Sequence, residues 1–131
     1  MKYLFPYDPP SAADSGDEIG IQTRLRSRMR NIAPTVRLVA TPNAGKRTAW
    51  AAMQAQREGM FKGFPDLKAL WDPQGIAFLE IKQRAGSLTT EQISWLNWLH
   101  QAGFACGCFR SVDSAVAFLR LQGAPFLAAA A

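Results

Sequence analysis

The chain has 131 residues, enough for one domain that buries about two-thirds of its unfolded surface. Nearly half of them are hydrophobic, which excludes a disordered tail, and fifteen Lys and Arg against ten Asp and Glu give a net charge of +5 that suits a polyanionic partner. No apolar run approaches the roughly 20 residues of a membrane span, the proline-broken start is no signal peptide, and two cysteines cannot form a zinc site, so a cytoplasmic setting is expected.

In chain order, residues 1–14 read as a flexible lead-in containing Pro and Ala. Ser15 with Glu18 three residues on forms a predicted capping box, and Ile21, Leu25 and Met29 follow at helical spacing, so 16–30 is expected to be an amphipathic helix. "TVRLVA" (35–40) is β-branched and alternating, a predicted strand. After the "TPNAG" loop, Lys46 to Glu58 reads as a second helix that stops at Gly59. Residues 66–71 and 76–82 form a predicted hairpin around the turn "DPQG". The strongest helix signal lies at 89–102, with Thr89 and Gln92 as a capping box, Leu88 and Ile93 as a staple, and Gly103 as the stop. "FACGCF" (104–109) reads as a strand carrying two buried free thiols, and Ser111 caps a last helix to Leu121. This α-β-α-β-β-α-β-α order predicts an α/β fold: one small mixed sheet flanked by helices.

The hairpin raises the chemical question, because it carries Asp66, Glu80 and Lys82 in an otherwise apolar pattern. Glu80 and Lys82 share one strand face, ~6.6 Å apart by strand rise, while Leu79 and Ile81 take the other. A bulged turn with Gly75 left-handed pairs Asp72 with Ile76, which sets Asp66 opposite Lys82 with Glu80 diagonally across on the same face. A plain two-residue loop sends Asp66 to the wrong side. A structural ion pair explains the trio poorly, since one ammonium cannot neutralise two carboxylates in an apolar setting. A divalent cation balances the excess, and oxygen ligands suit Mg2+ or Mn2+, with Lys82 positioning a nucleophile or offsetting negative charge on a phosphate.

"FPD" at 64–66, thirteen intervening residues and "EIK" at 80–82 resemble the PD-(D/E)XK nuclease signature. With "PNAGKR" (42–47), "EGMFKGFPDL" (58–67), "G-x-L-T-x-x-Q" (86–92) and the following "W…L…AGF", the chain resembles the virus-type replication-repair nuclease (VRR-NUC) domain over roughly residues 16–121. The resemblance implies a restriction-endonuclease-like αβββαβ core within residues 15–122, followed by a short apolar tail at 123–131. It implies Asp66, Glu80 and the main-chain carbonyl of Ile81 as metal ligands, Lys82 as the catalytic lysine, and Gln92 as a support of the active site. For Gln92 the capping-box reading stands beside that role. Glu18 is matched to a first-helix metal ligand and is equally well read as the capping acid of Ser15.

For substrate, Asn43, Lys46 and Arg47 lie in a loop leading into a predicted helix N-terminus, a geometry suited to phosphate, and Lys62 is counted with them as a DNA contact. Arg24, Arg26, Arg28 and Arg30 cannot share one helix face and read as solvated. Trp50, Trp71, Trp95 and Trp98 read as core, and His100 is given no role. The resulting expectation is a Mg2+-dependent (or Mn2+-dependent) DNA endonuclease of phage or bacterial replication and repair, with a homodimer and branched DNA implied by the resemblance. A non-cleaving nucleic-acid-binding module and a nuclease subunit dependent on a helicase partner are the alternatives.

Overall fold

The computed structural model of the chain describes residues 2–41, 48–57, 59 and 61–128, apart from the side chains of Ala52 and Ala55. Among the described residues, a short 3-10 turn at Pro10–Ala12 precedes four α-helices and four strands in the predicted order: α1 (Glu18–Ile32), β1 (Arg37–Ala40), α2 (Ala49–Arg57), β2 (Leu67–Trp71), β3 (Gly75–Ile81), α3 (Thr90–Gln101), β4 (Ala105–Phe109) and α4 (Val112–Leu121). The strands form one mixed sheet in the order β1-β2-β3-β4, with the first two pairings antiparallel and β3 parallel to β4. No helix is long and apolar enough to cross a membrane among the described residues.

The sheet is covered on both faces. On one, Ile21, Leu25 and Met29 of α1 and Ala115, Val116 and Leu119 of α4 pack on Leu67, Ala69, Leu79 and Ile81. On the other, Ile93, Leu96 and Leu99 of α3 pack on Phe78, Cys106 and Cys108, and Leu88 packs against the same cluster. β3 is therefore buried along its whole second half, Ala77 to Ile81, and a polar residue there sits in the interior. Both cysteines are free and buried, as their alternation predicts.

Three expectations about local structure are corrected. The cap of α1 is Asp17, whose Oδ1 accepts the Gly20 N–H at 2.7 Å; Ser15 does not cap it, and Glu18 is the first helical residue instead of a capping acid. In the hairpin, Trp71 pairs with Gly75, two steps away from the predicted register, and the left-handed residue is Gln74 (φ 58°) instead of Gly75. Gly75 is needed because the Trp71 indole lies where a Cβ would be, 2.0 Å away. The loop still holds three residues between paired positions, so the face parity survives, and continuing the register sets Asp66 across from Glu80, with Lys82 diagonal.

The parity carries a prediction: deleting Gln74 should shorten the loop to two residues and turn Asp66 away from Glu80. The DNA cleavage expected from the sequence resemblance should vanish in a protein that circular dichroism shows to be folded. A folded deletion variant with wild-type cleavage refutes the register argument.

The third correction concerns the chain ends. Residues 5–14 are not a loose lead-in: Phe5 is buried, Tyr7 bridges in parallel to Cys108, and the Asp8 and Cys108 N–H groups donate to Cys108 O and Pro6 O at 3.0 and 2.9 Å. The segment thus adds an edge to β4. After α4 the chain folds back, and Leu127 N–H donates to Ile32 O at 2.8 Å. Trp50 and Trp98, expected in the core, are 65% and 57% exposed, whereas Trp71 and Trp95 are partly buried.

Candidate active site

The hairpin, α1 and the start of α3 converge on one cleft of about 580 Å³, lined among others by Glu18, Gln22, Thr41, Asp66, Lys82 and Gln92. Asp66 stands just before β2, and its carbonyl accepts the Thr41 N–H at 2.7 Å, which ties the end of β1 to it. Its Oδ2 accepts the Ile81 N–H at 3.3 Å, a bond across the hairpin that fixes the carboxylate beside β3. Lys82 follows β3 and stays in the ladder, its N–H donating to Phe109 O at 3.0 Å. Asp66, Glu80 and Lys82 are all buried, an uncommon concentration of ionisable groups.

Glu80 lies deepest, 1% exposed and paired with Cys108 on β4. Its Oε2 accepts from Gln92 Nε2 at 3.3 Å, while Oε1 is buried without a hydrogen-bond partner. Burial pushes its carboxyl well above the usual glutamate range, the adjacent Asp66 carboxylate pushes it further, and Lys82 only partly opposes them. Two ionised carboxylates have nothing to donate to each other, so the approach of the Asp66 side chain also favours the protonated form of Glu80. The same burial, with Glu80 opposite, drives the Cys108 thiol up to about 12, so it is an inert packing group.

Gln92 makes contacts in both directions, to Thr89 and to Glu80. Its Oε1 accepts the Thr89 N–H at 2.9 Å and its N–H donates to Thr89 Oγ1 at 3.1 Å, completing the capping box, while the amide nitrogen of the same side chain reaches Glu80. Glu18, released from capping, is half-buried at the cleft wall one turn before Ile21. Gly86 lies between it and the lysine, with its Cβ position 3.0 Å from Glu18 Oε2 and 3.3 Å from Lys82 Cδ. Among the described residues no three His, Cys, Asp or Glu side chains are grouped closely enough to hold a metal ion by themselves. The donor set nevertheless suits a hard cation, because the Asp66 and Glu80 carboxylates repel each other and one Glu80 oxygen lacks a donor.

Of the predicted DNA contacts, Asn43, Lys46 and Arg47 lie outside the described residues. Lys62 is exposed and pairs with Glu91 at 3.7 Å, where the 61–66 loop meets the start of α3. Arg24, Arg28 and Arg30 of α1 are exposed, and Arg28 pairs with exposed Asp113 at 3.0 Å, whereas Arg26, expected to be solvated with them, is half-buried, with a guanidinium nitrogen donating to Gln22 Oε1 at 3.0 Å and its Nε buried without a partner. Sequence reasoning passed over Arg110, which is fully buried behind the site and bonded to the 83–86 turn. Its signal was available, since Cys106, Cys108 and Arg110 share one parity and the thiols are inward.

No curated protein and no solved structure gives a significant match. The VRR-NUC domain matches residues 20–113, well over half of the chain and including Asp66, Glu80, Lys82 and Gln92. With that match laid over a mixed sheet whose hairpin gathers two buried carboxylates and a lysine, the chain belongs to the VRR-NUC family of nuclease domains.

Proposed function

We propose that this domain is a Mg2+-dependent (or Mn2+-dependent) endonuclease that hydrolyses DNA phosphodiester bonds, with Asp66, Glu80 and the Ile81 carbonyl as metal ligands and Glu18 as a further carboxylate. The observation that carries it is the buried Glu80 carboxyl, with one oxygen lacking a donor, set beside Asp66. A bound divalent ion supplies polarisation of a phosphoryl oxygen and easier deprotonation of water. The protein's own groups do the rest. Gln92 holds Glu80 in one orientation through Oε2. Asp66 is held by the Ile81 N–H. The Lys82 ammonium offsets negative charge developing on the phosphate, and its burial strengthens that effect.

The finer reading is a structure-selective enzyme: a homodimer acting on branched, flap or four-way DNA in phage or bacterial replication or repair, in the cytoplasm. It is supported by the sequence resemblance and by the absence of a base-reading motif in a basic chain. Dependence on a helicase partner is the outcome to watch for if the isolated protein is silent.

Cleavage of labelled linear, flap and four-way DNAs in Mg2+, Ca2+ and EDTA tests this. Cutting in Mg2+ should be lost in EDTA, and Ca2+ should support binding better than cleavage. The thermal midpoint should rise with Mn2+ by mass action, and this rise should disappear in the Asp66→Asn variant. Undiminished cleavage in excess EDTA overturns the metal assignment.

A further inference from the structure

Arg110 is fully buried, and its guanidinium donates mainly to main-chain carbonyls. Nε donates to Asp8 O at 2.9 Å, Nη1 to both Gln83 O and Gly86 O, and Nη2 to the Tyr7 hydroxyl at 2.9 Å. A buried cation is costly to keep, and only a planar fork can serve these acceptors at once. What it joins is informative. On one side is the 83–86 turn, which directly follows Lys82 and is closed by Gly86 N–H donating to Gln83 O at 3.0 Å. On the other is the segment of residues 5–14, which lies outside the stretch matched to the family.

That segment is itself fastened. The Asp8 carboxylate accepts from the Arg110 N–H at 2.9 Å and from Ser114 Oγ, and Asp14 exchanges bonds with Arg110 O and the Val112 N–H. Meanwhile the turn presses on the site, because Gly86 lies against Glu18 Oε2 and the Lys82 stem. A shift of the turn therefore moves the floor under both side chains.

We propose that Arg110, held by the N-terminal strap of residues 5–14, is a positioning residue that sets the place of Lys82 and Glu18 through the 83–86 turn. This rests on the nuclease reading for its effect on rate, but the clamp itself can be tested without it. Arg110→Lys keeps the charge and loses the fork. Tyr7→Phe removes one acceptor at nearly constant volume. Three quantities are measured in the full chain: kcat and KM for DNA cleavage, the thermal midpoint, and amide exchange at Lys82, Gly86 and the β4 residues.

Arg110→Lys should lower kcat by about 10–100-fold, the range typical of groups that orient a ligand, with KM within about twofold. Tyr7→Phe should lower kcat by a smaller factor in a protein that melts close to wild type. Exchange should quicken at Gly86 while β4 stays protected. Wild-type kcat per folded molecule in both variants overturns the proposal, as does exchange that rises equally across β4, which marks a purely structural arginine. If the wild-type protein cuts none of the DNAs, the reading of the isolated chain as a self-sufficient nuclease fails independently of the clamp. The clamp then stands or falls on whether Arg110→Lys frees Gly86 selectively.

Discussion

Replacing Glu80 with Gln should lower cleavage by about 10²–10³-fold, the scale set by removing one preorganised charge-stabilising group, and should raise the melting temperature of the metal-free protein. The two effects have one cause. Glu80 is buried, lacks a donor at Oε1 and faces Asp66, so its ionised form is disfavoured in the folded state. Its folded-state pKa lies above its unfolded one. The metal-free native state therefore loses stability as pH rises out of the usual glutamate range and through the raised pKa, and does not regain it above. Gln is uncharged throughout, and its amide can donate where the carboxylate could not. Melts in EDTA should show wild type falling with pH and the variant staying level, with the gap widest at the alkaline end.

Asp66→Asn should act in the same direction, since it removes the second-largest cause of the Glu80 shift while Asn can still accept the Ile81 N–H. DNA affinity in EDTA should hold or improve in both variants, because negative charge beside the phosphate is removed. If the carboxylates were simply structural, each variant would melt lower and cut in proportion to its folded fraction. A Glu80→Gln protein that melts below wild type at alkaline pH and still cuts near the wild-type rate would falsify the metal-ligand assignment.

How much of this was legible in the sequence depended on the range of the interactions. Ile21, Leu25 and Met29 announce α1 by spacing alone, and Thr89 with Gln92 announces the start of α3 through bonds three residues apart. The shared face of Asp66 and Glu80 followed from strand parity, which survives any even slip of register. The register itself did not follow: Gln74 takes the left-handed conformation while the Trp71 ring occupies the space over Gly75, and neither is a residue-type preference. Ser15 and Asp17 are both good caps, and a local rule could not choose between them. The strap was invisible because its partners are distant in sequence; Asp8 meets Arg110 across 102 positions. Proline and alanine there look like a loose end until β4 offers its edge. The exposed Trp50 and Trp98 show the opposite failure, in which bulk and apolarity suggested burial that the fold does not supply.

Replacing Gly63 with Ala should disable the enzyme from a position that carries no chemistry. Gly63 has φ +86°, and a Cβ there would lie 2.6 Å from the Glu91 carbonyl carbon, 2.7 Å from Glu91 Cβ and 2.8 Å from Gln92 N. The obstacle includes main chain, which no rotamer change can move aside, so the 61–66 loop must back away from the start of α3. Asp66 ends that loop, and Gln92 lies in the helical turn it presses against. The methyl group therefore displaces Asp66 from Gln92 and from the Glu80 carboxylate that Gln92 holds. A displacement of about 1 Å in a reacting constellation can lose ~100-fold in rate, and kcat should fall at least that far. Stability should fall too, by roughly 1–3 kcal/mol for overpacking together with the left-handed strain. Gly103→Ala separates these causes. Gly103 has φ +91° with nothing within 4 Å of its Cβ position, so it bears the backbone strain without the collision. It should melt somewhat lower, by about 1 kcal/mol, and cut at the wild-type rate per folded molecule. Equal kcat for the two variants would mean that the close docking of the 61–66 loop on α3 does not set the geometry of the site.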